Sequence, residues 1–554
     1  MPDAGDGDFS RIPDELLLHI LKFVTTNGGA ATTALSKRWR PLWKSSGAVN
    51  LEARILEDDE QRMMEAGVFF DRRDKFVADA RKALDGFTAA PVPVTMLTFR
   101  VEGQTATIVR DFLNRDATLH GRPQVLAGVL AHPAASALEE LRITAVDNIR
   151  GEPMIFEKIN GEAEWSTFGT RMYSINTHSL PSATLRVLDL TNSGQLTLGL
   201  QPPAFPHLWK LRLCRCELLI PDLQSFVNTA PLLAFIHLQS VLLEDDRIQP
   251  NLEEDMPLVR SLSCPAATTL VIFKCCLREE GTLQIFAPML QYFVYDGILR
   301  SILLSPTPQN LLRADVNLLD YRGKQNRDAA AVRQRFCELL QGFIHVKQIK
   351  LNIRLRKGFN VTSHGVLLPV LLNIECIELG LVYSPSCKEA AAMLIAELLT
   401  CCPKLRDLRF NLITSFEEDG RRSEGSGNWP TVCLEKDFKE SVRRSKRRKM
   451  QLDVAAEERQ YFDEVSELPE LNDRYFDCLH KSLKRVALQY QREKSCFGDI
   501  LVKFFAKNAN VLEEMCIDSG NARFGDHVYL KIKKWIEAWP EERKFKILPL
   551  ERRI

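Results

Sequence analysis

Residues 386–410 read SCKEAAAMLIAELLTCCPKLRDLRF, and the apolar period changes once along them. Ser386 and Glu389 stand at the spacing of a capping box, ahead of a run of Ala, Met, Ile and Leu that fits a buried helix. Pro403 ends that run. Leu405, Leu408 and Phe410 then follow with the alternation of a strand that buries one face. The stretch predicts helix, turn and strand in quick succession.

Its closing hexamer, apolar-x-x-apolar-x-apolar, recurs through most of the chain. It stands as LEELRI at 138, LRVLDL at 185, LWKLRL at 208, LAFIHL at 233, ATTLVI at 267 and LQYFVY at 290. It continues as LLRADV at 311, VKQIKL at 346, IECIEL at 374, LRDLRF at 405, LKRVAL at 483 and LEEMCI at 512. Most neighbours lie 21 to 35 residues apart, and gaps of 47 and 78 hold insertions. No single unit covers its own apolar face, so the units must stack and share a core. This pattern predicts an α/β fold: an irregular leucine-rich-repeat solenoid whose curved parallel sheet carries helices and loops on the convex side. A doubly wound α/β domain with leucine-rich strands is the alternative. The asparagine or cysteine expected after each strand is often missing, but LDLTNSG, LRLCRCEL and VIFKCCL keep a version of it.

The array spans 96–414 and resumes at 471–554. Between them, 415–470 has no period: SFEEDGRRSEGSGNWP is rich in glycine and charge, which predicts a disordered insert. Within it Arg443, Arg444, Lys446, Arg447, Arg448 and Lys449 form a basic cluster. It reads either as a nuclear-import signal or as a solvated run balanced by the acidic stretch that follows.

The totals exclude several function classes. The 554 residues hold 73 Lys and Arg against 72 Asp and Glu, so no global field draws the chain to nucleic acid or anionic lipid. The start, MPDAGDGDFSR, is acidic where a secretory signal is basic, and the apolar window 365–383 is broken by Pro369, Asn373, Glu375 and Glu378. The 14 cysteines lack zinc spacing and read as reduced core thiols rather than disulfides or metal ligands. No HExxH, GxSxG, Walker A or GxGxxG stretch occurs, and the 10 histidines, His178 and His207 among them, are scattered. The expectation is a non-catalytic chain of the nucleus or cytoplasm, without cofactor or metal. Arg186, Asp189, Lys210, Arg212, His237, Lys350, Glu378 and Arg409 point outward from the strands; their mixed signs identify no substrate.

The head of the chain has a different pattern. IPDELLLHILKFV (12–24) places Pro13 at a helix start with Asp14 and Glu15 in the first turn. Leu16, Leu17, Ile20, Leu21, Phe23 and Val24 then cover more than half of the helix circumference, which calls for contacts on two sides. AATTALSKRWRPLW (30–43) adds Leu35, Trp39, Leu42 and Trp43 at helical spacings. A core this small is weak alone.

These two stretches, with a Pro-Asp-Glu-Leu-Leu start, a Leu-Ser-Lys-Arg-Trp ending and the interval from Phe23 to Trp39, resemble a plant-type F-box. CLHKSLKRVALQYQREKSCFGDILVKFFAKNANVLEEMCI (478–517) is similar to the FBD region that ends many plant F-box proteins. The resemblance implies a disordered start (1–8), an F-box (9–50), a helical linker (51–95), the repeats and the FBD-like end. It also implies a non-catalytic subunit of an SCF-type ubiquitin ligase, joined to cullin through a Skp adaptor and binding an unknown target protein. A non-degradative scaffold with the same parts is the alternative. Ile12, Pro13, Leu16, Leu17, Ile20, Leu21, Leu35, Trp39, Leu42 and Trp43 match the positions of the apolar dock, some of them expected to pack internally; Lys37 and Arg38 read as rim or solvated charges. TTNGGAATTA departs from the family pattern. The second helix is expected to begin after Gly28 and Gly29, with a weaker adaptor contact.

Overall fold

The computed structural model describes residues 12–32, 38–55, 66–88, 92–103, 106–114, 124–147, 173–197, 202–244, 259–277, 282–299, 302–319, 329–355, 367–414, 468–490, 497–518 and 545–549, with 532 and 535. The chain forms two compact units. The first comprises 1–255, 263–267 and 275–280; the second comprises 256–262, 268–274 and 281–554.

The first unit opens with helices α1 (Asp14–Leu21), α2 (Thr26–Thr32) and α3 (Trp39–Ser45). Its strands are β1 (Ala48–Ile55), β2 (Met96–Gly103), β3 (Glu140–Asp147), β4 (Val187–Thr191), β5 (Lys210–Cys214) and β6 (Phe235–Gln239). They pair in chain order and all in parallel. Helices α4 (Ala66–Thr88), α5 (Ala106–Asn114), α6 (Val125–Leu130) and α7 (Ile220–Thr229) lie between them in sequence. β1 is a strand ahead of the repeats: it pairs with β2 from Ala48↔Met96 to Ile55↔Gly103, at the junction of the expected F-box and the expected helical linker.

The second unit carries β7 (Thr269–Phe273), β8 (Tyr292–Ile298), β9 (Arg313–Leu319), β10 (Gln348–Leu355), β11 (Cys376–Tyr383), β12 (Asp407–Thr414), β13 (Arg485–Tyr490), β14 (Glu514–Asp518) and β15 (Lys546–Pro549). These too pair in chain order and in parallel. Its helices are α8 (Ala329–Gln341), α9 (Lys388–Cys401), α10 (Pro469–Asn472), α11 (Asp477–Lys481) and α12 (Phe497–Asn508). All twelve hexamers fall on strands β3 to β14, and the fold is α/β with extensive parallel sheet. The basic cluster at 443–449 lies outside the described residues.

The strands bury alternate residues because successive side chains point to opposite faces. In β10 Ile349, Leu351, Ile353 and Leu355 are buried between half-buried Lys350, Asn352 and Arg354. Helix α12 and the turn after α8 cover the buried face of the second unit through ring contacts: Phe343 of that turn meets Phe293 at 5.8 Å, while Phe497 and Phe505 of α12 meet Tyr383 at 5.4 Å and Phe410 at 5.6 Å. Gly498 lies close beneath the Tyr490 ring, whose hydroxyl donates to buried Asp499 at 2.6 Å. Cys216, Cys264 and Cys478 are buried, and burial pushes each thiol up to about 12, which keeps it protonated and inert.

Four strands end on a corner with positive φ, at Asn192, Arg215, Ser240 and Lys274. At three corners a neighbouring side chain fastens one repeat to another. Asn192 Nδ2 donates to the Ala145 carbonyl, Cys216 Sγ to Leu190 at 3.6 Å and Cys275 Sγ to Leu238 at 3.3 Å. These are the asparagine and cysteines that LDLTNSG, LRLCRCEL and VIFKCCL retain.

One local expectation fails. Ser386 sits inside a short 3₁₀ turn, Pro385–Cys387, and its hydroxyl pairs with Ser384 at 2.8 Å. α9 starts at Lys388 after Cys387, with no side-chain cap, so the Ser386/Glu389 capping box does not form.

Candidate docking surface on the N-terminal helices

Pro13 has φ −57° and ψ 147° and stands immediately before α1, one position earlier than the sequence reading placed it. Its carbonyl accepts from Leu16 and Leu17 at 3.1 and 3.2 Å, which starts the helix while Asp14 and Glu15 face its positive end. Leu17, Leu21 and Leu42 form the centre of the head, with Ile12, Leu18, Trp39 and Trp43 partly buried around them. Leu17 and Leu21, at 0% and 1% exposure, hold α1 to the rest of the head and are not available to another protein in this conformation. The same holds for Leu42.

Leu16 and Ile20 of α1 point away from this core. Leu16 is 56% exposed and Ile20 47%, and Phe23, just past the helix, is 60% exposed. Their spacing puts them along one stripe, with exposed Pro13 at its head. His19 meets the Phe23 ring edge-on at 5.3 Å. The ten expected dock residues therefore divide: Leu16, Ile20 and Pro13 outward, Leu17, Leu21 and Leu42 inward, and Ile12, Trp39 and Trp43 between. Leu35 lies outside the described residues, as does Lys37.

Trp43 explains Gly29. Helix α2 contains both Gly28 and Gly29 rather than beginning after them. A Cβ on Gly29 would lie 2.2 Å from Trp43 Nε1, so the indole occupies the notch that the missing side chain leaves. The other side of Trp43 meets Phe87 of α4 edge-on, at 5.2 Å. Thr25 starts α2 by accepting from the Gly28 N–H at 3.2 Å. The roughly 1 kcal/mol that a glycine costs a helix is offset here by a helix–indole contact that alanine would block.

Two residues essential to this arrangement escaped the sequence reading. Arg38 is half-buried and paired: its guanidinium donates to Asp14 at 2.8 and 2.5 Å and to the Ile12 carbonyl at 2.5 Å, tying the start of α3 to the start of α1. Asn50 on β1 donates to the Lys22 and Val24 carbonyls, both at 2.8 Å, while its backbone exchanges two 2.9 Å hydrogen bonds with the Thr26 hydroxyl. It fastens the α1–α2 turn to the first strand. The only signal in the sequence was an asparagine, a poor strand former, inside an alternating stretch.

The outward charges of the repeats engage one another. Asp189 meets Arg212 at 3.3 Å, Glu378 meets Arg409 at 3.6 Å and Lys350 at 4.0 Å, and Arg186 meets Glu139 at 3.9 Å. Burial, then the charge of Arg212, push the His237 imidazole below its ordinary value. Among the described residues no group of three or more His, Cys, Asp or Glu could hold a metal ion, and no helix is long and apolar enough to cross a membrane.

No family model matches the chain. An F-box/LRR-repeat protein of Arabidopsis thaliana is 24% identical over 315 residues, 56% of this chain and 79% of that protein. An FBD-associated F-box protein of the same plant is 54% identical over 46 residues, 8% of this chain and 25% of that protein. An F-box/FBD/LRR-repeat protein, also from Arabidopsis thaliana, is 40% identical over 57 residues, 10% of this chain and 13% of that protein.

Proposed function

We propose that this chain, a homologue of the Arabidopsis F-box/LRR-repeat and FBD-associated F-box proteins, is the substrate-recognition subunit of an SCF-type ubiquitin ligase. The observation that carries the reading is the stripe of Leu16, Ile20 and Phe23, exposed on a head whose own core is already filled. Burying one such side chain gives about 1.5–3 kcal/mol, so three at the centre of an interface can hold a Skp-type adaptor. Leu17, Leu21 and Leu42 act indirectly, by fixing the angle of α1. Trp39 and Trp43 brace the head from behind.

In this role the chain performs no chemistry. The head binds the adaptor, and through it cullin; the leucine-rich-repeat solenoid binds a target protein and raises its effective concentration near a ubiquitin-conjugating enzyme. The basic residues of 443–449 serve as a nuclear-import signal in this reading.

The test is recovery of a Skp-type adaptor by the purified full chain and by Leu16→Ala/Ile20→Ala. Both side chains are half exposed or nearly so, so the variant keeps its fold. Recovery falls at least tenfold if the stripe is the dock. Equal recovery by a folded variant removes the ligase reading and leaves the non-degradative scaffold.

A further inference from the structure

Strand β1 has β2 on one side and, among the described residues, no strand on the other. Along a parallel strand the main-chain N–H and C=O of one residue face one neighbour, and those of the next residue face the other way. Asn50 sets the parity for β1. Its N–H and C=O both meet the Thr26 hydroxyl, at 2.9 Å each, and so face away from β2. The outward set is therefore Ala48, Asn50, Glu52 and Arg54. The Ala48 N–H donates to Ser46 Oγ at 3.3 Å, and Asn50 is capped by α2. The outward N–H and C=O groups of Glu52 and Arg54 have no partner among the described residues. Unpaired main-chain groups along a strand are a template for another strand.

The side chains along this edge complement a copy of themselves. Leu51, Ala53 and Ile55 lie on the core face, Glu52 and Arg54 on the opposite one. Ala53 is half-buried, whereas Val101 and Ala145, beside it on β2 and β3, are buried, so the core thins out at the edge. Arg54 keeps a 65% exposed side chain, held by Glu52 at 3.0 Å. In an antiparallel pair with a second β1, one register sets Glu52 against Arg54 of the copy and Arg54 against its Glu52. Opposite charges face each other across both pairs, which is favourable. Each pair also exchanges two main-chain hydrogen bonds, and these use the groups left without partners. Sliding by two residues either sets Glu52 against Glu52, with capped Asn50 in the ladder, or sets Arg54 against Arg54. Main-chain supply and charge thus select the same register. Its two-fold axis runs between the two copies of Ala53, where the small side chain lets the strands approach.

We propose that β1 is a self-pairing edge: two copies of the chain join antiparallel through Glu52, Ala53 and Arg54 into a two-fold dimer. The interface is isologous, the same strand serving both copies. The four-residue contact is small, so the dimer forms and dissociates with concentration. Because Asn50 fastens the α1–α2 turn to the same strand, each dimer carries two α1 stripes beside its axis. The inference does not depend on what those stripes bind.

The test is sedimentation velocity of the purified full chain at concentrations up to about 100 μM, the range in which a small interface associates. Wild type should pass from monomer to dimer. Glu52→Arg and Arg54→Glu each place like charges across the axis and should raise the dissociation constant at least tenfold. The exchanged variant Glu52→Arg/Arg54→Glu restores opposite charges and should return to within threefold of wild type. An equimolar mixture of the two single variants should dimerise, since one presents two arginines and the other two glutamates. Exposed ion pairs contribute little to stability, so thermal unfolding of the variants should match wild type. If a variant does not fold, hydrogen exchange of the wild type replaces it: the Glu52 and Arg54 amides should gain at least tenfold protection as concentration rises. A wild type that stays monomeric, single variants that dimerise like wild type, or a folded exchanged variant that does not recover each overturns the proposal. Amides at 52 and 54 whose protection is independent of concentration overturn it too, because the edge is then covered by something other than a second copy.

Discussion

Leu16 of α1 is 56% exposed, while Leu394 of α9 is fully buried, although both stand in leucine-rich helices. The difference lies in how many neighbours each helix has. α9 packs against β11, α10 and α11, and Glu397 on it pairs with Arg333 of α8 at 2.7 Å. Ala391, Ala392, Leu394, Ile395, Ala396, Leu398 and Leu399 are all buried as a result. α1 packs against α3, and only Leu17 and Leu21 of its apolar residues are fully covered. A leucine that nothing in its own unit covers is the feature that separates α1 from a core helix such as α9.

That contrast can be broken by substitution. Leu394→Ala is the largest expected effect: it opens a cavity in a filled core and should destabilise the second unit by about 2–5 kcal/mol, read as a lower midpoint in denaturant. Gly29→Ala comes next. Its Cβ would overlap the Trp43 indole, and overpacking of about 1–3 kcal/mol exceeds the roughly 1 kcal/mol that alanine gains in helix propensity. The head should loosen, with a change in Trp43 fluorescence. The smallest effect belongs to Leu16→Ala, expected within about 0.5 kcal/mol of wild type in stability. A large loss of stability there would mean that Leu16 is a core residue, and the contrast with Leu394 would fail.

The sequence was most legible where short-range pattern decides structure. The alternation in LRDLRF or VKQIKL specifies which face of β12 or β10 is buried, because a one-residue slip would expose every apolar side chain. The corner residues Asn192, Cys216 and Cys275 were legible for a related reason, since each follows its strand within two residues. β1 was less visible: it shares the alternation but lacks the hexamer, and it lies ahead of the recurring units.

The candidate site was only half legible. An apolar α1 was clear from IPDELLLHILKFV, but the division between Leu16 and Leu17 was not, because adjacent residues on a wide apolar face look alike until the neighbouring helix is placed. Arg38 looked like a solvated charge because its partner Asp14 is 24 residues away. Gly29 looked like a weakness because the indole it accommodates comes from α3. Ser386 looked like a cap because a short turn ending one residue before the helix cannot be told from a cap by spacing.

The sequence alone determined the repeat strands β3 to β14, their buried faces and the α/β class, since these follow from periods of two and from turn chemistry within each unit. It also determined that the head carries more apolar surface than a small core hides. Tertiary structure decided which leucines remain outside, why α2 needs a glycine at 29, and which distant charge Arg38 meets. Each of those depends on side chains brought together from separate elements, and sequence spacing does not encode that proximity.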